Sequence, residues 1–499
     1  MRVHVVIAAA VVGLSACSSL GEAPVTPDSR AGLFDEVFAA YERTGRFSGV
    51  VLAAEGDELI FAKAYGLADR ESETPNRIDT VFDPGSVAKP FLAVVILSLV
   101  EDEVVGFDDS PMRYISGLDP LIWGDVTIRQ LLSHTAGVMD HADADGFFAA
   151  GVGADLSRED LLAYFRDEPL LFEPDSRYRY SNFGYSLLAM IAEAASKTTY
   201  PELLEERVFK PAGMTDTTWG TSMTAGGAKG YVRDFGGATD AGPYSSASAS
   251  IGAGDIVTTA MDLWRFDRAL SKGALLRHDT MTDMIAPHAE DRDRGRAYGY
   301  GWELYDVDGS HPMVRRAGHA GLALHMTAVI ERDLKTDGFF AILSNIRDSD
   351  DVINNVPPPL IHAMQSDARH LLTGKNVSPP RPSLVEAFLV SRSTQGFEAA
   401  FAEMQEREIT ASNKWSFSPN EVVLAVFGDL WGDYEECERL TLFAIERSSD
   451  PWLLYETLGD IRSAAGDVEG ALTAYKKALQ DMPYREYLLD SIASLEARP

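Results

Sequence analysis

The chain has 499 residues, of which 45% are hydrophobic, so it is long enough for two or three domains with substantial cores. Its formal net charge of −32 at pH 7 argues against a nucleic-acid-binding protein, because a phosphate backbone requires clustered Lys and Arg. We interpret the acidity as dispersed surface charge that favours solubility.

The N-terminus is typical of an export signal. Arg2 and His4 precede an apolar stretch from Val5 to Leu14, which is too short to span a bilayer. The sequence LSAC that closes it is similar to the lipobox of bacterial lipoproteins. Residues 1–16 are therefore predicted to be a signal peptide, and Cys17 the site of lipidation. Plain secretion, with an incidental cysteine, is the alternative.

This assignment predicts a periplasmic protein that is lipid-anchored to the cell envelope, at the outer membrane if the host is Gram-negative. Residues 17–31 are mostly small, polar and proline-bearing, so we expect a linker there. Beside Cys17 the sequence has only Cys437, so no disulfide framework stabilises the exported chain. No second apolar run is long enough for a transmembrane helix.

Residues 32–372 mix strand-like alternation with helical periodicity. FSGVVLAAEGDELIFAKAYGLAD predicts two strands about a turn at 55–57, and LALHMTAVIERDLKTDGFFAILSN predicts two more about 335–338. Helical patterns such as TIRQLLSHTAG and YSLLAMIAEAASK lie between these ends. Strands at both ends with helices between them predict an α+β domain whose sheet is assembled from distant segments.

The segment GSVAKPFLAVVILSLV places a serine and a lysine at the start of an apolar helix. A neighbouring base can activate Ser86, and burial can lower the pKa of Lys89 until it is such a base. Pro90 cannot donate a helical hydrogen bond, so we expect the first turn to tighten toward a 3₁₀ helix that holds Lys89 over Ser86. Ser86 as a simple helix N-cap is the structural alternative.

Two further triplets carry groups that Ser-x-x-Lys lacks. Tyr180 and Asn182 stand directly before a helical pattern, so both side chains can project from one loop. A phenol near a cation can ionise and act as a general base, and an amide can orient Lys89. His319 leads a His-Ala-Gly triplet that enters a strand, where small residues let a substrate backbone approach. A core tyrosine, a helix-capping asparagine and a structural histidine are the alternatives.

The C-terminal part is predicted to be separate. Residues 373–383 are proline-rich and form a predicted linker, and residues 384–499 are predicted to be helical. Six positions match the offsets of a 34-residue tetratricopeptide repeat (TPR): Leu458, Gly459, Ala471, Tyr475, Ala478 and Pro483. One further degenerate copy precedes them. Because this is fewer than a free solenoid needs, we expect docking on the main domain or on a protein partner. A plain helical hairpin is the alternative.

Taken in order, SVAK at 86–89, YSN at 180–182 and HAG at 319–321 resemble the active-site motifs of the serine β-lactamase and penicillin-binding protein superfamily. The middle triplet is similar to that of the class C branch, with its peptidase and esterase relatives. Flanking text from about residue 33 to 347 agrees. The resemblance implies a β-lactamase/transpeptidase-like fold, with an antiparallel sheet flanked by helices and an all-α subdomain. Residues 384–499 also resemble the TPR-like tail of some members.

The resemblance implies a covalent acyl-enzyme mechanism without a cofactor. Ser86 attacks the acyl carbon, Lys89 and Tyr180 share the proton transfers, and Asn182 positions the substrate and Lys89. The backbone N–H groups of Ser86 and Leu322 form the oxyanion hole.

The third motif bears on the substrate. Ala320 and Gly321 belong to the strand that pairs with substrate. His319 stands where β-lactamases and carboxypeptidases usually have a lysine that meets the substrate carboxylate. A mostly neutral imidazole holds a carboxylate less well, and we expect Arg315 and Arg316 to flank the strand.

We therefore expect an exported serine hydrolase that acts on a small-molecule or peptide ester or amide, as an esterase, D-aminopeptidase or carboxypeptidase-like enzyme. A class C-like β-lactamase is one alternative. A catalytically idle binding protein that recruits partners through its repeat tail is another. An α/β-hydrolase is excluded because no Gly-x-Ser-x-Gly elbow occurs. His-Glu-x-x-His and paired Cys-x-x-Cys are also missing, so no catalytic metal is expected. We interpret His134 as structural.

Overall fold

The computed structural model describes most of the chain between residues 30 and 497. The described ranges are 30–141, 156–220, 227–234, 237–240, 250–306, 314–323, 325–348, 359–411, 414–417, 419–481 and 486–497. The predicted signal peptide, Cys17 and Pro483 lie outside these ranges, as does the predicted linker up to residue 29.

The α-helices of the described residues are numbered here in chain order. They are α1 Arg30–Arg43, α2 Lys89–Glu101, α3 Pro120–Trp123, α4 Ile128–Leu132, α5 Arg158–Ala163, α6 Asn182–Ser196, α7 Tyr200–Leu204, α8 Lys210–Ala212, α9 Ala260–Ser271, α10 His278–Met284, α11 Pro359–Leu372, α12 Leu384–Gln395, α13 Phe397–Ala411, α14 Pro419–Ala425, α15 Tyr434–Ile445, α16 Trp452–Ala465, α17 Val468–Asp481 and α18 Glu486–Glu496.

The strands of the described residues form one large sheet and three small ones. The strands are β1 Gly49–Glu55, β2 Glu58–Tyr65, β3 Leu67–Asp69, β4 Thr74–Pro75, β5 Thr218–Trp219, β6 Tyr231–Asp234, β7 Gly237–Asp240, β8 Ile256–Val257, β9 Ala289–Asp291, β10 Arg296–Tyr298, β11 Glu303–Tyr305, β12 Arg316–Leu322, β13 Thr327–Asp333, β14 Gly338–Ser344 and β15 Ile346–Asp348. The large sheet is antiparallel, in the order β2-β1-β14-β13-β12-β11-β10-β9.

Both predicted hairpins are present, and they pair with each other within the large sheet, where β1 lies beside β14. β1 pairs with β14 from Gly49 opposite Ser344 to Glu55 opposite Gly338. Segments almost 300 residues apart therefore share one ladder, because each strand is buried and needs a hydrogen-bonded neighbour on both sides. The predicted α+β class, with an antiparallel sheet flanked by helices, is confirmed.

The large sheet separates two apolar cores. One face packs on α1 and α11, with Phe34 and Phe38 among the side chains buried there. The opposite face packs on α9, and α2 and α6 belong to the same apolar core. Residues from Phe91 to Leu99 of α2 are buried on every side of the helix, so the predicted buried helix is confirmed. The start of α2 is thereby fixed between the sheet and the helical part of the domain.

Two local predictions differ from the structure. The first helix begins at Arg30, so the last two residues of the predicted 17–31 linker are helical. Only Ile128–Leu132 of the TIRQLLSHTAG pattern is α-helical, because His134 takes a left-handed backbone conformation with φ of 60° that ends the helix.

The C-terminal region is helical, as expected, and it contacts the main domain. Glu421 of this region forms an ion pair with the largely buried Arg46 and accepts a hydrogen bond from Ser383. Within the region, a Cβ on Gly459 would lie 2.4 Å from the Tyr475 ring, so α16 and α17 pack closely. The assignment to a TPR stays a prediction. In the described part of the chain, no helix is both long and apolar enough to cross a membrane.

Candidate active site

Ser86 lies in a single 3₁₀ turn, Gly85–Ala88, that leads directly into α2. Pro90 is in the first helical turn, where its missing N–H leaves no partner unsatisfied. The predicted tightening of this turn is confirmed. Ser86 is not the N-cap, because that position of α2 belongs to Ala88. Gly85 has φ of +54°, and a Cβ there would lie 2.6 Å from the Leu322 carbonyl carbon, so glycine lets the turn reach β12.

Lys89 is completely buried beside Ser86. Its Nζ donates to three oxygens: Ser86 Oγ at 3.1 Å, Asn182 Oδ1 at 2.7 Å and the Ala253 carbonyl at 2.8 Å. Burial lowers the pKa of Lys89 to about 7, although Asp140 and other acidic groups act in the opposite direction. The expected juxtaposition is present, and the amine exists partly in its neutral form at neutral pH.

Tyr180 and Asn182 reach the same amine from the start of α6. Ser181 is the N-cap of this helix, and its Oγ accepts the Gly184 N–H at 3.0 Å. The Tyr180 hydroxyl interacts with the Ser86 side chain, and the Tyr180 ring centroid lies 4.8 Å from Lys89 Nζ. Burial nevertheless raises the pKa of Tyr180 well above its usual value. The resting phenol is therefore protonated, whereas the sequence suggested that it could ionise.

His134 contacts the loop that carries these residues. Its buried Nδ1 accepts the Ser181 N–H at 3.1 Å, and its ring centroid lies 4.3 Å from that of Tyr180. Burial lowers the pKa of His134 well below its usual value, so the ring is neutral and can accept this bond. The structural interpretation of His134 is consistent with these contacts, which also hold the Tyr180 loop in place.

His319 is buried on the side of the sheet that faces α2, with only 1% of its surface exposed. Its Nδ1–H donates to the Ala320 carbonyl at 2.6 Å, and Nε2 accepts from the Tyr298 hydroxyl at 3.1 Å. Burial lowers the pKa of His319 to about 4. The imidazole is therefore neutral, and both of its nitrogens are engaged.

The edge of β12 lies against the Ser86 turn. Ala323 N–H donates to the Met326 carbonyl, so the alternation of an antiparallel ladder turns the N–H of Leu322 away from β13. On that other side the pairing with β11 ends at Gly318, and no strand among the described residues pairs with the edge beyond it. A Cβ on Gly321 would lie 1.8 Å from the Pro84 carbonyl oxygen, so only glycine permits this approach. The Leu322 N–H and the Ser86 turn are thus neighbours, as an oxyanion hole requires.

Three contributors to the site were missed from the sequence. Ala253 acts through its backbone carbonyl, which no side-chain motif marks. Asp255 holds that loop by accepting the Gly252 N–H at 2.7 Å and the Trp219 indole N–H at 2.9 Å. Asp140 contacts Asn182. Asp140 is the second residue after the HTAGV segment, and nothing in the sequence marks it as a neighbour of Asn182 or Lys89. Among the described residues, no cluster of His, Cys, Asp and Glu could hold a metal ion.

Comparison with known proteins places this geometry in a family. The Beta-lactamase family model matches residues 34–356, well over half of the chain. The chain belongs to this family. The solved penicillin-binding protein of Bacillus halodurans superposes with a TM-score of 0.56 at 26% identity, covering 66% of this chain and 98% of that one. The fold is thus β-lactamase/transpeptidase-like, as the motifs implied.

Curated relatives are similar over part of their length. Penicillin-binding protein 4* of Bacillus subtilis (strain 168) is 30% identical over 289 residues, 55% of this chain and 63% of that protein. Esterase EstB of Burkholderia gladioli is 32% identical over 205 residues, 38% of this chain and 51% of that protein. The chain thus spans less than two-thirds of these relatives. They make it a member of a serine hydrolase superfamily with penicillin-binding, esterase and D-aminopeptidase branches.

Proposed function

We propose that this protein is a serine hydrolase that forms an acyl-enzyme on Ser86 and acts on esters, or on amides that do not depend on a carboxylate for binding. The observation that carries the proposal is the position of Lys89. A buried amine with a pKa near 7 lies 3.1 Å from the Ser86 hydroxyl. A general base is most effective when its pKa is close to the working pH.

The two carbonyl acceptors explain how the neutral amine acts on Ser86. A neutral lysine has two N–H bonds and one lone pair. The Asn182 and Ala253 oxygens accept the two N–H bonds, so the lone pair faces Ser86 Oγ. In the proposed acylation the Ser86 proton moves to Lys89 while Oγ bonds to the acyl carbon. The N–H groups of Ser86 and Leu322 stabilise the resulting oxyanion.

Tyr180 completes the proton path in this proposal. Its protonated hydroxyl contacts Ser86 and can donate to the leaving alcohol or amine, then regain a proton from Lys89. In deacylation, water loses a proton through the same groups as it attacks the ester, and Ser86 Oγ leaves with a proton. Because Lys89 and Tyr180 are coupled, the pair rather than either residue determines the observed titration.

The third motif supports a substrate without an essential carboxylate. His319 is neutral and already hydrogen-bonded at both nitrogens. Arg315 lies 3.5 Å from Asp333, and Arg316 pairs with Glu331 and Asp306, so both guanidinium groups have carboxylate partners of their own. An ester or a neutral amide makes no demand for a cation at this position, whereas a β-lactam or a peptide C-terminus does.

The enzyme assignment is tested by covalent labelling of the purified protein. A fluorophosphonate should label wild type and should not label Ser86→Ala, with intact mass showing a single adduct on wild type. An unlabelled wild type would contradict the hydrolase proposal. Labelling that persists in Ser86→Ala would mean that the nucleophile is a different residue.

The substrate assignment is tested by a matched panel. Two p-nitrophenyl esters of equal length, one neutral and one with a terminal carboxylate, should differ in kcat/KM in favour of the neutral ester. D-amino acid amides and a chromogenic cephalosporin extend the panel. Preference for the carboxylated ester, or efficient cephalosporin hydrolysis, would favour the β-lactamase alternative.

We also propose that the protein is exported and lipid-anchored through Cys17. The support is the apolar stretch that ends in LSAC, followed by a polar segment. Mass spectrometry of the mature N-terminus should find an acylated cysteine, and Cys17→Ser should release the protein from the membrane fraction. An unmodified N-terminus at another position would contradict the proposal.

A further inference from the structure

Asn182 is held on one side by Lys89 and on the other by Asp140. Asp140 Oδ1 accepts the backbone N–H of Asn182 at 2.5 Å, and Oδ2 faces the Asn182 side-chain nitrogen at 3.4 Å. Asp140 belongs to the loop between α4 and α5, and Asn182 is the first residue of α6. One carboxylate thus contacts both the backbone and the side chain of the same residue.

The orientation of the Asn182 amide decides what Lys89 meets. An amide has an oxygen that accepts hydrogen bonds and a nitrogen that donates them, and the two ends have nearly the same shape. An ionised carboxylate only accepts, so beside Asp140 the nitrogen end is favoured on that side. The oxygen end then points at Lys89, where it accepts at 2.7 Å. With the amide reversed, two donors would face each other and the lysine lone pair would no longer be directed at Ser86.

The same contact fixes the start of α6. His134 accepts the N–H of Ser181, and Asp140 accepts the next N–H along the chain, that of Asn182. A negative group at a helix N-terminus also interacts favourably with the helix dipole. The loop that carries Tyr180 is therefore held at two consecutive peptide groups.

We propose that Asp140 is a positioning residue of the active site, which sets the orientation of the Asn182 amide and thereby directs the Lys89 amine at Ser86. The inference rests on the proposed function. Asp140 does not touch the reacting atoms, so it acts through Asn182 and through its charge.

The charge of Asp140 gives the proposal a signature that a purely structural role lacks. Asp140 is the foremost of the charges that raise the pKa of Lys89 against the larger effect of burial. The other titratable groups that act on or face Lys89 are Asp255, Glu303, His134, His141, His319, Tyr180 and Tyr185. Among the acidic groups that raise the pKa of Lys89, Asp140 is the one whose hydrogen bonds in the described residues include Asn182. Removing its charge should let Lys89 become neutral at lower pH.

The test compares Asp140→Asn, Asp140→Ala and Asp140→Glu with wild type in full-length protein. The readout is the second-order rate of Ser86 labelling by a fluorophosphonate from pH 5 to 10. In the Asn and Ala variants the acid-side midpoint should move down by about one pH unit, a typical effect of one neighbouring charge. The plateau rate should fall roughly 10- to 100-fold in Ala, because a misplaced base costs about this much. Glu, which keeps the charge, should keep the wild-type midpoint.

Asp119→Ala is the matched control, since exposed Asp119 caps the N-terminus of α3 through the Leu121 N–H. It should alter thermal stability at most. Asn and Ala variants that retain both the wild-type midpoint and the plateau rate would overturn the inference. If wild type itself is not labelled, the proposed function fails instead, so the two failures are distinguishable.

Discussion

Two buried basic residues of this domain, Lys89 and Arg296, differ in whether a carboxylate is hydrogen-bonded to them. Lys89 donates its three hydrogen bonds to uncharged oxygens, and burial lowers its pKa to about 7. Arg296 forms a close ion pair with Glu303, at 2.5 Å, and a second one with Asp291 at 2.9 Å. This pairing lowers the pKa of Glu303 to about 2 even though the carboxylate is buried.

The difference shows that burial alone does not decide what a charged residue does. A directly paired charge stays ionised and serves the structure, because each partner compensates the lost hydration of the other. A cation among neutral acceptors is only partly compensated, so its proton becomes easy to remove. The chemistry of the site depends on the second arrangement, and the following experiments test the contrast.

The largest effect is expected from replacing the unpaired amine. Lys89→Met should lower the rate of Ser86 labelling by about 10³-fold, because general-base catalysis is lost. The variant should be more stable than wild type at low pH. Below pH 7 wild type buries a charged ammonium at a cost in free energy, and this cost declines as pH rises from 7 toward 10.5. The gain in stability of the variant should therefore be largest below pH 7.

Chemical denaturation of both proteins at pH 6 and pH 9 measures this trend. An equal stability difference at the two values would contradict it.

Breaking the ion pair should affect stability rather than chemistry. Glu303→Gln leaves Arg296 with less compensation and should lower the free energy of unfolding by roughly 3 kcal/mol at pH 7. The pKa of Glu303 is below its usual 4.5, so its contribution is present above pH 4.5 and is lost as pH falls toward 2. Urea titrations at pH 7 and pH 3 should show a smaller difference between variant and wild type at pH 3. Ser86 labelling of the folded variant should persist, with the acid-side midpoint slightly lowered.

The unpaired amine also predicts the pH dependence of wild type. Labelling of Ser86 should rise about tenfold per pH unit below the Lys89 pKa and level off above pH 7, since only the neutral amine accepts the serine proton. A Lys89→Met protein should lose this limb. A wild-type midpoint near 10 would show that the lysine is hydrated and that the contrast with Arg296 does not hold.

The smallest effect is expected next to His319. Tyr298→Phe removes the hydroxyl that donates to Nε2 and should cost about 1 kcal/mol of stability, the usual worth of a neutral hydrogen bond. Because His319 stays neutral, the variant enzyme should keep the preference for the uncharged ester. The matched ester pair checks this, and a reversed preference would show that a cation can form at this position.

Much of the fold could be predicted from local patterns. The two hairpins follow from alternation and turn residues, and the 3₁₀ turn follows from a proline four residues after Ser86. The helical pattern TIRQLLSHTAG predicted too long a helix, because the left-handed backbone at His134 depends on packing, with the His134 ring among Tyr178, Tyr180, Tyr185 and Tyr298. Histidine adopts positive φ more often than most residues, but this preference is too weak to predict the conformation at a given position.

The sequence by itself determined which groups can react. Ser86, Lys89, Tyr180, Asn182 and His319 were identified from three short motifs, and the structure gathers the first four around the Lys89 amine. The sequence could not determine the protonation of these groups, because a pKa depends on desolvation and on neighbours from distant segments.

Tertiary structure decided that state. Asn182 is 93 residues from Lys89 in the sequence, and Ala253 is 164 residues from Lys89. No short motif shows that these residues meet. The same packing holds Tyr180 protonated and His319 neutral. The motifs fix the atoms of the site, whereas the surrounding fold excludes water from them and sets which of them carry protons.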